Sequence, residues 1–111
     1  MLKTEVIAET GGAYLIENIF FPGNYLIIPN EHVASPLELS DSWWQDVKIL
    51  IPKIPEPPIE YNLYESQGKS AGQTLEHVHL WVVPRVPNKP SSGKGLYGLM
   101  REIDESKEIT D

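Results

Sequence analysis

Apolar and polar positions alternate with a period of two through several short stretches of this chain, and one stretch carries the longer period of a helix. Lys3–Glu9 alternates around Val6 and Ile7, and Ala13–Glu17 follows after Thr10, Gly11 and Gly12. These two runs predict a hairpin, because a Gly-Gly pair supplies the positive φ that two-residue hairpin turns need. Ile19–Asn24 contains Pro22 and Gly23 and reads as a loop, and Tyr25–Ile28 is an apolar run stopped by Pro29 and Asn30, a third and buried strand. Ser35 and Pro36 interrupt the chain. Ser40 or Asp41 then caps a helix over Ser42–Ile51 with Trp43, Val47, Leu50 and Ile51 on one face, and Pro52 ends it. Four prolines make Pro52–Pro58 a stiff connector. Glu60–Glu65, around Tyr61, Leu63 and Tyr64, is a fourth strand, and Ser66–Ser70 is a polar loop.

The fifth run, Ala71–Arg85, organises the rest. Strand geometry sends successive side chains to opposite faces, so Val78, Leu80 and Val82 form an apolar face while Leu75, His77, His79, Trp81 and Val83 form the other. Imidazole titrates near neutrality, so two of them on one strand face can serve as nucleophile, proton carrier or metal ligand. Gly72 permits a close backbone approach and Thr74 adds a hydroxyl. A bare His-x-His pair is more often an ordinary hydrogen-bonded pair than a site. A metal centre on His77 and His79 would want a third ligand, for which His32 or Glu76 is available, and Glu76 points to the opposite face. Residues 1–85 therefore read as one domain and 86–111 as a C-terminal extension. In the extension, Val86–Gly95 is rich in Pro, Ser, Gly and Lys and is expected to be mobile, and Leu96–Lys107 fits a short amphipathic helix.

Composition narrows the chemistry. A net charge of −7 over 111 residues argues against a general nucleic-acid or anionic-membrane surface, though backbone N–H groups can still hold a phosphate locally. Cysteine is absent from the sequence, which removes disulfide and thiolate chemistry. Met1–Gly12 lacks the basic and apolar regions of a signal peptide and no run of apolar residues is long enough to span a bilayer, so a soluble, cytoplasmic protein is the expectation.

The string from Gly72 to Arg85, G-Q-T-L-E-H-V-H-L-W-V-V-P-R, resembles the signature of the histidine triad (HIT) superfamily, in which three histidines alternate with apolar residues after a Gly-Gln-Ser/Thr turn. Trp81 stands where the third histidine would be. Pro22–His32, P-G-N-Y-L-I-I-P-N-E-H, resembles a second family string but has Asn24 in place of its first histidine, while keeping His32. The resemblance implies an α+β fold, an antiparallel five-stranded sheet with a helix packed on it. It also implies a homodimer joined through the helix and the next strand, with Trp43 and Trp44 as candidate contacts. Packing of either tryptophan on the chain's own sheet is the alternative.

By position, the resemblance makes His79 the nucleophile and His77 its supporting neighbour. Ser66, Gly72, Gln73 and Thr74 become phosphate contacts, and Asn18, with Ile16 and Ile19, the ribose and base contacts. A loop cap is the alternative for Asn18, and a structural hydrogen bond is favoured for His32 over catalysis. Trp81 and His32 are thus residues that modify the site. The implied activity is a nucleotide hydrolase or nucleotidyltransferase attacking the α-phosphate of an adenosine-type conjugate, a phosphoramidate or dinucleoside polyphosphate. The implied partner is a small nucleotide, with no cofactor or resident metal and substrate arriving as a magnesium complex. Trp81, Asn24 and Ser66, departures from the pattern, point to the alternative of a catalytically impaired nucleotide-binding or regulatory protein.

Overall fold

The alternating runs become five strands in the structure, a computed structural model that describes residues 5–71, 73 and 77–87. They are β1 (Val6–Glu9), β2 (Ala13–Glu17), β3 (Tyr25–Pro29), β4 (Glu60–Tyr64) and β5 (Leu80–Arg85), in the spatial order β1-β2-β3-β5-β4 with every neighbouring pair antiparallel. The helix α1 (Trp43–Leu50) lies between β3 and β4 in the chain. Gly72, Thr74 and the Leu96–Lys107 helix of the sequence reading lie outside the described residues.

One sheet face makes the core. Ala13 and Leu15 of β2, Ile27 of β3, and Leu80 and Val82 of β5 pack with Trp43, Val47 and Leu50 of α1. Those helix residues are spaced four and three apart, which stacks them on one stripe. Trp44 and Ile49 fall on the other side of the helix and are about half exposed. Strand register links the opposite sheet face into one row, because Ile16 stands across from Leu26, Leu26 from Trp81 and Trp81 from Tyr64.

Two local expectations need correction. Neither Gly11 nor Gly12 has a positive φ. The β1–β2 turn is held by Thr10 instead, whose Oγ1 accepts from the N–H groups of Gly12 (3.1 Å) and Ala13 (2.9 Å) while its own N–H donates to the Ala13 carbonyl. Gly12 does matter, for space: a Cβ there would stand 2.6 Å from Oδ2 of Asp46 on α1. At the helix start, neither Ser40 nor Asp41 is the cap. Ser42 occupies the N-cap without a side-chain bond, and its hydroxyl lies 3.0 Å from that of Ser40. At the helix end the expectation holds: α1 stops at Leu50, and Pro52 sits inside a following 3-10 turn, Ile51–Lys53, where its missing N–H costs nothing. The proline-rich connector then drops Ile54 into the core, where it is buried.

Candidate active site

The histidines sit just ahead of the regular part of the fifth strand. That strand begins at Leu80 rather than at Ala71, and Lys69–Ala71 is a 3-10 turn. Residues 77–79 are strapped to the segment that leaves β3. The N–H of Val78 donates to the Val33 carbonyl (2.9 Å), His77 Nε2 lies 2.8 Å from the Glu31 carbonyl, and the His32 ring stacks on the His77 ring at 4.6 Å between centroids. A carbonyl oxygen only accepts, so His77 carries its proton on Nε2. His79 is buried, and its Nδ1 lies 3.0 Å from the His77 carbonyl. By the same reasoning Nδ1 holds the proton, and in the neutral ring the lone pair is left on Nε2.

Gln73 ties the neighbouring loop to the same place. Its Oε1 accepts from the Gly68 N–H (2.7 Å) and its Nε2 donates to the Ala34 carbonyl (3.2 Å). Gly68 has φ +87°, a left-handed conformation that glycine adopts without strain. Ser66 is half-buried two positions past Tyr64, the β4 residue paired with Trp81, and so leaves β4 at the sheet end where residues 77–79 enter β5. His77, His79, His32, Gln73 and Ser66 therefore gather at one end of the sheet.

Asn18 and Ile19 are in the β2–β3 loop at the other end of β3. Buried Asn18 acts as a loop cap, its Oδ1 accepting from the N–H groups of Phe20 (2.9 Å) and Phe21 (3.3 Å). Asn24 closes the same loop, with its Nδ2 donating to the Phe21 carbonyl (3.2 Å) and its carbonyl accepting from the Asn18 N–H (2.8 Å). Ile16 is half-buried in the cross-strand row, while Ile19, Phe20 and Phe21 are exposed. Phe21 carries the loop back over the sheet face: its ring lies 5.9 Å from that of Trp81, tilted by 49°. The indole at the third motif position thus has a structural partner.

Two features escaped the sequence reading. One is this aromatic pair, foreshadowed only by two apolar residues in a loop. The other is Glu65, just past β4. Its Oε2 is buried, and among the described residues no hydrogen bond reaches it. Burial pushes its carboxyl above the usual glutamate range, and a charge on the His79 ring would pull it partly back. No motif or spacing marks that position.

Among the described residues no group of three or more His, Asp or Glu side chains is placed to hold a metal ion. No helix among them is long and apolar enough to cross a membrane. A cavity of about 460 Å³ lined by Tyr25, Ile54, Pro58, Pro84 and Arg85, among others, opens beside the proline-rich connector, at the sheet end remote from His79.

Known proteins resemble this chain in sequence and in fold. No family model matches the chain. The chain is 38% identical over 76 residues to the adenosine 5'-monophosphoramidase of Schizosaccharomyces pombe, a match spanning 67% of the chain but only 54%, about half, of that relative. It is 30% identical over 106 residues to a HIT-like protein of Borreliella burgdorferi, covering 88% of the chain and 76% of that protein. It is 25% identical over 114 residues to the bis(5'-adenosyl)-triphosphatase of Dictyostelium discoideum, covering 96% and 74%. Among solved structures, a HIT family protein from Bacillus anthracis superposes with a TM-score of 0.63 at 21% identity, over 97% of this chain and 89% of that one, which extends the likeness to the fold. With more than two thirds of the Borreliella relative matched, the chain belongs to the histidine triad family.

Proposed function

We propose that this protein is a hydrolase or nucleotidyltransferase that attacks the α-phosphate of an adenosine-type nucleotide conjugate, with His79 as nucleophile. The observation that carries the proposal is the Nδ1–H of His79 fixed on the His77 carbonyl at 3.0 Å, which leaves the Nε2 lone pair for attack. The names of two relatives, a monophosphoramidase and a bis(5'-adenosyl)-triphosphatase, support the phosphoramidate and dinucleoside polyphosphate classes of substrate.

The conjugate lies along the sheet face, its nucleoside against Asn18, Ile16 and Ile19 and its phosphate at Ser66, Gly72, Gln73 and Thr74. His79 displaces the leaving group to give a nucleotidyl-histidine, and water or another acceptor releases the nucleotide. Positioning and charge neutralisation supply most of the acceleration in such transfers. Steady-state turnover of adenosine 5'-phosphoramidate tests this: His79→Ala should reduce kcat by at least about a hundredfold, the scale of losing an essential nucleophile. Unchanged turnover in that variant refutes the assignment.

A second reading, a nucleotide-binding regulatory protein with impaired catalysis, draws on the packing of Trp81 against Phe21 where a third imidazole would stand. It predicts binding without a covalent intermediate. The working unit in either case is a homodimer. β4 is an edge strand whose neighbourhood exposes Ile59, Tyr61 and Leu63, and α1 presents Trp44.

A further inference from the structure

Trp81 and the loop ahead of β3 put aromatic surface on the face that carries the nucleophile. Every second side chain of a strand returns to the same face, so Trp81 follows His79 there, about 7 Å further along the chain. Its neighbours across the sheet on that face are Leu26 and Tyr64. The Phe21 ring meets Trp81 at 5.9 Å between centroids and 49° between planes, so neither ring lies flat on the other. Trp81 and Tyr64 are half-buried, whereas Phe21 is 59% and Phe20 72% exposed. Three consecutive apolar side chains, Ile19, Phe20 and Phe21, thus stand in water where the Asn18 cap fixes the loop backbone. A flat, largely apolar ring system is the occupant that such a surface suits.

Resting on the reading of His79 as nucleophile, we propose that Trp81 and Phe21 select the leaving group by holding the base of a second nucleoside, which makes dinucleoside polyphosphates preferred over conjugates with a small leaving group. The Nε2 lone pair makes the N–P bond as the P–O bond to the polyphosphate chain breaks. The leaving nucleoside polyphosphate keeps that electron pair as an oxyanion, and in-line displacement sends it away from Nε2. With the first nucleoside on β2 and its loop, at Ile16, Asn18 and Ile19, the part of the face left beside His79 is that of β5 and β4, where Trp81 stands across from Tyr64. An indole suits both parts of this leaving group. Its ring stacks on a base, and its N–H donates to an oxygen of the phosphate chain. Every base has a π-face, so the selection is for a ring and not for adenine. Ammonia, the leaving group of a simple phosphoramidate, gains nothing from the pair.

Steady-state kinetics with two substrates that transfer the same nucleotide isolate the leaving group, because diadenosine triphosphate carries a second base and adenosine 5'-phosphoramidate does not. The ratio of their kcat/KM values, dinucleoside over phosphoramidate, should fall about tenfold in Trp81→Leu and in Phe21→Ala, the scale of one lost base–aromatic stack. Trp81→Phe, which keeps a ring, should largely restore it. Phe21 is an exposed loop residue, so its truncation reports even where Trp81→Leu does not fold. A ratio that moves in neither variant, or a native protein that turns over the phosphoramidate and not the dinucleoside, overturns the role of the aromatic pair alone. Turnover of neither substrate by the native protein, or turnover of both that survives His79→Ala, overturns the nucleophile reading and this inference with it.

Discussion

A single side chain decides whether the site is chemistry or packing, and the two that matter most are of opposite kinds. His79 could be read from the sequence because its neighbours on both sides follow a recurring string. Glu65 could not, because one charged residue closing an alternating run looks like any solvated strand end. Its stability signature is nevertheless specific. A carboxyl whose folded pKa is raised contributes stability that is present below the unfolded pKa and lost as pH rises through the folded one. Glu65→Gln should therefore melt higher than the native protein near neutral pH, and the gap should close as pH falls below the ordinary glutamate range. Thermal denaturation across that range checks it, and a pH-independent gap contradicts it. The Phe21–Trp81 pair gives a second prediction: a double-mutant cycle between Phe21→Ala and Trp81→Ala, read by chemical denaturation, should yield a coupling of about 1 kcal/mol.

Elements were legible where periodicity was simple. Apolar side chains on one face of Ala13–Glu17, Tyr25–Pro29 and Leu80–Arg85 need a cover, and the stripe of Trp43, Val47 and Leu50 provides it. Turns were less legible because several chemistries close the same loop. Gly-Gly promised a primed hairpin turn, yet the Thr10 hydroxyl takes both N–H groups. Thr10→Val, which keeps the shape and removes the acceptor, should cost about 1 kcal/mol in denaturant unfolding. The proline run hid a core residue for a similar reason: its stiffness is a property of composition, whereas the burial of Ile54 depends on where the connector lands. Leu50 is fully buried at the C-terminal end of the helix stripe, so Leu50→Ala should destabilise by about 2–5 kcal/mol, and a loss under about 1 kcal/mol would mean the helix does not cover the sheet as described.

At the size of the whole molecule, the sheet formed by the described residues leaves β4 unpaired on its outer edge, with Leu63 and Tyr61 more than a third exposed and Trp44 about half exposed on α1. Edge strands of this kind are paired, covered or charged in stable proteins. Sedimentation should find a dimer for the native protein and a monomer for Leu63→Lys; a native monomer would leave the edge without its proposed cover. Nothing in the alternation of a strand says whether its outer edge meets solvent or a second copy, so this feature came from family likeness and not from the residues. The same holds for the proposed path of the nucleotide, which links two ends of the sheet that only the strand register brings into one line. The most direct test of the whole proposal is intact mass spectrometry of the native protein and His79→Ala after brief exposure to adenosine 5'-phosphoramidate. An acid-labile nucleotidyl adduct on the native chain alone is the predicted result; nucleotide binding with no adduct would contradict it and leave a binding protein in its place.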